Sequence, residues 1–222
     1  LRGMRRVIAE RMHTSLQEMA QLTMGMEVDM DQAVKLREQL IREWEADGIR
    51  PSFTDLVIRA ATTALGRHPG LNAEVTDRGI ELRKEIHIGM AVALPNGLVV
   101  PVIRDAHSLS LHDLAIESSR LAESARGGTL GPDDYAGGTF SVTSLGMADV
   151  DFFTPIINPP NVGILGIGRI REAVRWDGHT PVPTRRLTLS LTIDHRAVDG
   201  VPGAAFLREV RDLLEAPYRL LV

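Results

Sequence analysis

Leu187-Thr-Leu-Ser-Leu-Thr-Ile193, Asp194-His195-Arg196-Ala197-Val198-Asp199-Gly200 and Val201-Pro-Gly-Ala-Ala-Phe-Leu-Arg-Glu-Val-Arg-Asp-Leu-Leu214 follow one another without a break, and their reading decides the fold. In the first segment Leu187, Leu189, Leu191 and Ile193 alternate with Thr188, Ser190 and Thr192, the period of a half-buried strand. Continued two residues further, that strand puts His195 on the apolar face. Pro202 suits the first turn of a helix, Phe206, Val210, Leu213 and Leu214 supply its buried stripe, and Pro217 stops it. A histidine and an aspartate four residues apart therefore stand at a strand-to-helix switch. A neutral imidazole partly removed from water at such a switch can accept a proton from a substrate. The same pattern also fits a core histidine and an aspartate that merely caps the helix.

Working outward, His195-Arg-Ala-Val-Asp199-Gly200 resembles the H-x-x-x-D-G signature of the catalytic domain of dihydrolipoamide acyltransferases, the E2 component of 2-oxo acid dehydrogenase complexes. Four further blocks resemble that family in the same order: Arg5-Arg6-Val-Ile-Ala-Glu-Arg11-Met12, Pro95-Asn-Gly-Leu-Val-Val-Pro101, Gly137-Gly-Thr-Phe-Ser-Val-Thr143-Ser-Leu-Gly146 and Thr154-Pro-Ile-Ile-Asn-Pro-Pro160. The resemblance implies an α/β (α+β) fold, the chloramphenicol acetyltransferase-like two-layer sandwich, over residues 1–222 as a single catalytic domain. It also implies a homotrimer with active sites between subunits, built up into a 24-mer or 60-mer core.

The reaction so implied is acyl transfer between S-acyl dihydrolipoamide and coenzyme A. A free thiol titrates near 8.5 and a free imidazole near 6.5, so full proton transfer costs roughly 2.7 kcal/mol and should accompany attack on the carbonyl. His195 is the expected base. The family carries a hydroxyl residue as oxyanion donor at the position of Thr143, 52 residues before His195, with adjacent Ser144 as the alternative. Asp199 is expected to orient, through an ion pair with Arg6 or Arg11. Two departures from the family, Ala20-Gln21 in place of Pro-His and Ala197-Val198 in place of a bulkier pair, bear on the shape of the substrate mouth.

Composition narrows the alternatives. With 25 basic against 29 acidic residues, the net charge of -4 offers no electrostatic case for nucleic acid or an anionic membrane. The chain has no cysteine, which removes disulfides, thiolate catalysis and cysteine-bound zinc, and no metal is expected. This fits the cytoplasm, or the mitochondrial matrix in a eukaryote. No apolar run reaches the roughly 20 residues of a bilayer span. The two lysines, Lys35 and Lys84, do not resemble a lipoate attachment hairpin. Lipoyl and subunit-binding domains are thus expected outside this chain, as are the segments that bind the E1 and E3 components. Ser144-Leu-Gly-Met147 and Asp151-Phe-Phe-Thr-Pro-Ile resemble acetyl-transferring members of the family more than branched-chain ones, and this resemblance favours acetyl transfer. Branched-chain transfer, a free-standing acetyl-CoA-dependent acetyltransferase and an inactive scaffold are the competing readings.

The remaining elements follow from periodicity. Met4, Ile8, Met12, Leu16 and Met19 predict a helix over 3–20 with a packed stripe, and six of the eight methionines lie in the first 30 residues. Strands are expected at 22–30, 71–75, 79–82, 139–143, 163–170, 171–178 and 181–194. Helices are expected at 31–46, 53–66 (capped by Ser52) and 109–125. Pro95-Asn96-Gly97 predicts a hairpin joining 86–94 to 98–103. His87 is expected to be structural, and His107 and His112 to lie at the surface.

Overall fold

A computed structural model of the chain describes residues 1–95 and 97–221. Strand β1 (Gln21–Asp29) runs antiparallel to the long β11 (Thr180–Asp194), in register from Gln21 opposite Asp194 to Asp29 opposite Arg186. On its other side β11 pairs with β9 (Gly163–Ile167) and, lower down, with β10 (Arg171–Asp177). The sheet continues through β8 (Phe140–Ser144), β4 (Ile88–Met90) and β7 (Val102–Ile103). The β8 contacts with β9 and β4 are parallel and the other pairings antiparallel, which makes the sheet mixed. Strands β2 (Ala73–Thr76) and β3 (Gly79–Leu82) form a separate ribbon.

The alternation read in the sequence sets the layers. Leu187, Leu189, Leu191 and Ile193 are buried towards helices α2 (Asp31–Glu43), α3 (Phe53–Arg67), α4 (Leu111–Gly127) and α5 (Gly200–Glu215). Ser52 caps α3 in a capping box with Asp55, as expected, and the Asp55 carboxylate also accepts from Ser118 Oγ of α4 at 2.6 Å. That cluster pins two helices together. Burial pushes the Asp55 carboxyl up, against the opposing pull of these hydrogen bonds.

The opposite face of the sheet is covered in part by chain that is neither helix nor strand. β8 and β9 are parallel neighbours, so a crossover is obligatory. Here residues 149–162 make it as an extended strap. Phe152 lies over Gly25, where a Cβ would come within 2.9 Å of its ring, and Phe153 lies over Gly166, again at 2.9 Å. The two glycines thus leave the space that the phenylalanines fill. Helix α1 (Gly3–Glu18) lies on this face as well: Ser15 Oγ donates to Ile157 O at 2.7 Å and Arg11 Nη2 to Pro159 O at 3.0 Å.

Several expectations require correction. The expected hairpin forms in one antiparallel register but is divided between two sheets: β5 (Val92–Leu94) and β6 (Gly97–Val99) pair as a small ribbon with Leu94 opposite Gly97, and β4 and β7 continue the register in the main sheet with Ile88 opposite Ile103. Asn96 lies outside the described residues. The 163–170 strand ends at Ile167, because Gly168 turns against the Asp151 backbone. The stripe of α1 packs only in part within the chain: Ile8, Met12 and Met19 are half-buried, whereas Met4 and Leu16, and Val7 beside them, are exposed. His87 is structural, its Nδ1 accepting from Asp105 N at 2.9 Å. Of the other two histidines, His107 is exposed and His112 is half-buried, edge-on to Trp44.

Gly166→Ala should lower unfolding free energy by about 1–3 kcal/mol, since the added methyl displaces the Phe153 ring or the Ser190 hydroxyl. Urea denaturation measures it, and an unchanged midpoint would contradict the close packing of the strap.

Candidate active site

β11 ends at Asp194, one residue before His195, so the imidazole does not continue the apolar face. It projects from a turn instead, with its side chain 44 % exposed. This corrects the expectation that the strand continues and puts His195 on its apolar face. The turn itself is tightly held: His195 N donates to Ala20 O at 2.8 Å, and Ala197 N and Val198 N both donate to Asp194 O, at 2.9 and 3.0 Å. Asp199 occupies the N-cap position of α5 but makes no side-chain cap hydrogen bond. Its carboxylate instead lies 3.5 Å from His195 Nδ1, longer than a hydrogen bond.

Neither expected arginine meets Asp199 in this chain. Arg6 Nε binds Glu10 at 2.7 Å, one helical turn away, and Arg11 is spent on the Pro159 carbonyl. Gln21, at the departure from Pro-His, links three segments: Nε2 donates to Ser15 O and Oγ, and Oε1 accepts from Ile157 N. Gln21 therefore ties the end of α1 and the start of β1 to the strap.

On β8, Phe140 and Val142 point into the helix-side core and Ser141 and Thr143 to the strap side. Thr143 lines a cavity of about 240 Å³ between Met12, Leu98, Val100, Phe153, Pro155 and Ile164. A larger cavity of about 490 Å³ under α1 shares Met12, Leu98, Val100, Ser141 and Asn158 with it. Among the described residues the Thr143 hydroxyl has no hydrogen-bond partner, whereas Ser144 Oγ accepts from Gly146 N at 3.4 Å and serves its own turn. Ser144, one residue on, also faces away from the cavity. The structure thus separates the two hydroxyls that the sequence left as alternatives.

Thr143 and His195 are not brought together within the chain. Thr143 stands opposite Gly166, and Gly166 opposite Ser190, five residues short of His195. Five residues of strand and two strand spacings separate them by roughly 19 Å. Among the described residues no group of three His, Cys, Asp or Glu side chains converges as a metal site, and no helix is long and apolar enough to cross a membrane.

The profile of the 2-oxoacid dehydrogenases acyltransferase catalytic domain matches residues 1–222. The chain belongs to that family. A Bacillus subtilis relative, the dihydrolipoyllysine-residue acetyltransferase component of the acetoin cleaving system, is 47 % identical over 221 residues, which is 99 % of this chain and 56 % of the relative. The catalytic domain thus spans little more than half of that protein. Among solved structures, an Azotobacter vinelandii dihydrolipoamide acetyltransferase superposes with a TM-score of 0.94 at 34 % identity, over 98 % of this chain and 90 % of that one. That work concerns the roles of a serine, a histidine 52 positions later and an asparagine four positions beyond it in the catalytic mechanism. The cubic core of a pyruvate dehydrogenase multienzyme complex gives the same TM-score of 0.94 at 33 % identity, again over 98 % and 90 %. Chloramphenicol acetyltransferase, at a TM-score of 0.59 and 16 % identity over 92 % and 94 %, shares the fold, so the expected architecture holds.

Because the Thr143 hydroxyl makes no hydrogen bond among the described residues, Thr143→Val should change unfolding free energy by less than about 0.5 kcal/mol. A loss of more than about 1 kcal/mol in thermal or urea unfolding would reveal a local structural role instead.

Proposed function

We propose that this chain is the acyl-transferring core of a 2-oxo acid dehydrogenase-type complex, moving an acetyl group between S-acetyl dihydrolipoamide and coenzyme A. The observation that carries the reading is spacing within an extended likeness. Thr143, His195 and Asp199 repeat the 52- and four-residue intervals of the Azotobacter serine, histidine and asparagine. The 47 % identity to an acetyltransferase component supports the acetyl group. Lipoate would arrive on a lipoyl domain outside this chain, and E1 and E3 would bind through segments outside it as well.

In this mechanism the coenzyme A thiol gives its proton to His195 Nε2 as the sulfur bonds to the acyl carbonyl carbon. Asp199, on the Nδ1 side of the ring, favours the tautomer that leaves Nε2 its lone pair. The Thr143 hydroxyl donates to the oxyanion of the tetrahedral intermediate. Collapse breaks the bond to the dihydrolipoamide sulfur, which takes the proton back from His195.

The roughly 19 Å between Thr143 and His195 requires that they come from different subunits. A closed trimer, in which each interface joins one subunit's His195 to its neighbour's Thr143, meets that requirement. The exposed Met4, Val7 and Leu16 of α1 give such an interface an apolar surface to bury. A partner for Asp199, Arg6 or Arg11 among them, would then come from the neighbouring subunit. Trimers of this kind could assemble further into a 24-mer or a 60-mer, and the likeness to a cubic core favours the former.

His195→Ala should lower kcat at least ~10²-fold, and activity should fall on the acid side because imidazolium has no lone pair. Thr143→Val should lower kcat about 10² to 10³-fold, roughly 2.7–4 kcal/mol, with KM little changed, while Thr143→Ser stays active. Co-expressed His195→Ala and Thr143→Val subunits should recover about a quarter of wild-type activity, since random pairing makes that share of interfaces intact. No recovery in mixed trimers would overturn the shared site. With acetyl, isobutyryl and succinyl donors compared in a coenzyme A-dependent assay, acetyl should give the highest kcat/KM; preference for another donor would replace the acetyl assignment.

A further inference from the structure

The two residues that flank His195 are joined to each other. Asp194 is fully buried, at 0 % exposure, and its carboxylate receives Arg196 Nε at 3.1 and 3.0 Å on its two oxygens, Nη2 at 2.7 Å and the Arg196 backbone N–H at 3.1 Å. The Asp194 backbone is equally committed, its N–H to Val162 O at 2.9 Å and its carbonyl to Ala197 and Val198 N–H. His195 is therefore the apex of a loop closed beneath it by both main chain and side chains. Among the described residues its own ring, by contrast, has only the long contact to Asp199. The direction of the imidazole is thus set by the backbone of the turn, and the turn is set by Asp194 and Arg196.

We propose that Asp194 and Arg196 are a positioning pair for His195, fixing the turn that presents the imidazole and acting on the rate through it without touching substrate. The proposal rests on the acyl-transfer reading above, with His195 as base. Three features support it. A buried carboxylate left without its cation is strongly disfavoured, so the pair holds one geometry. The guanidinium reaches both carboxylate oxygens as a planar fork, which a lysine cannot reproduce. The Asp194 hydrogen bonds also hold the Arg196 guanidinium above its ordinary pKa, as expected of a pair that stays closed. A base displaced by about 1 Å loses on the order of 10²-fold in rate, so a clamp beside it has leverage.

The test is a double-mutant cycle on the assembled protein, assayed with coenzyme A and S-acetyl dihydrolipoamide. Arg196 is 40 % exposed, so Arg196→Gln removes the fork without opening a cavity. It should lower kcat by ~10 to 100-fold while KM for both substrates stays within about twofold. Combined with His195→Ala, it should cost nothing further, because the group it positions is already gone. The same factor lost again in the double variant, or a rise in KM alone, would overturn the positioning role. Should Arg196→Gln not fold, Arg196→Lys, which keeps the charge and loses the fork, carries the same cycle. If His195→Ala alone keeps the wild-type rate, the assignment of the base falls and the proposal with it. If His195→Ala is slow but the folded Arg196 variant is fully active, the positioning role alone falls.

Discussion

The antiparallel ladder between β1 and β11 is the interaction on which the rest of the molecule depends. It fixes which residues of β11 face the helices, because a one-residue slip would carry Leu187, Leu189, Leu191 and Ile193 to the strap side. It places Gly25 beside Ser190, and so opens the gap that Phe152 fills. Beyond its last pair, the bond from His195 N to Ala20 O extends the ladder into the turn. The position of the imidazole is thus a consequence of register before it is a consequence of any side-chain contact.

The parallel step in the sheet has the complementary effect. In the register of β8 on β9 and of β9 on β11, Thr143 lies level with Ser190 of β11 and not with its end. A single copy therefore offers an unpartnered hydroxyl in one place and a half-exposed imidazole in another. Neither is costly for an isolated chain, since both can be solvated, and the proposed mechanism joins them only across a subunit boundary.

Much of this was legible in the sequence. β11, α5 and the Ser52 cap were readable because each depends on local chemistry: alternation, a proline at the first helical turn, a serine whose oxygen meets an N–H three residues on. Thr143, His195 and Asp199 were placed by motif and spacing, and the structure puts them on a strand, a turn and a helix cap. Other features could not be read this way. The exposure of His195 depends on where β11 stops, and an alternation pattern does not mark its own end. The stripe of α1 looked like ordinary packing because periodicity records that a face is apolar but not which molecule covers it. The strap carries no periodic signal, since it is fixed by Gln21, Ser15 and Arg11, more than 130 residues away. The Asp194–Arg196 pair had a signal, acid and base two apart around a histidine, but that arrangement is common on surfaces, and only complete burial of the carboxylate distinguishes it.

The length of chain between β1 and β11 has a consequence for synthesis. β1 leaves the ribosome well before its partner, which lies about 160 residues later. At roughly 5–20 residues per second, β1 waits about 8 to 32 s before the ladder can close. During that interval Met24, Met26 and Val28 belong to an open strand edge next to a helix with a partly uncovered apolar stripe. Such an edge is a template for pairing with another nascent chain. For a polypeptide that acts in the proposed trimer, the order in which its strands appear makes early encounters between chains a hazard until β11 has been made.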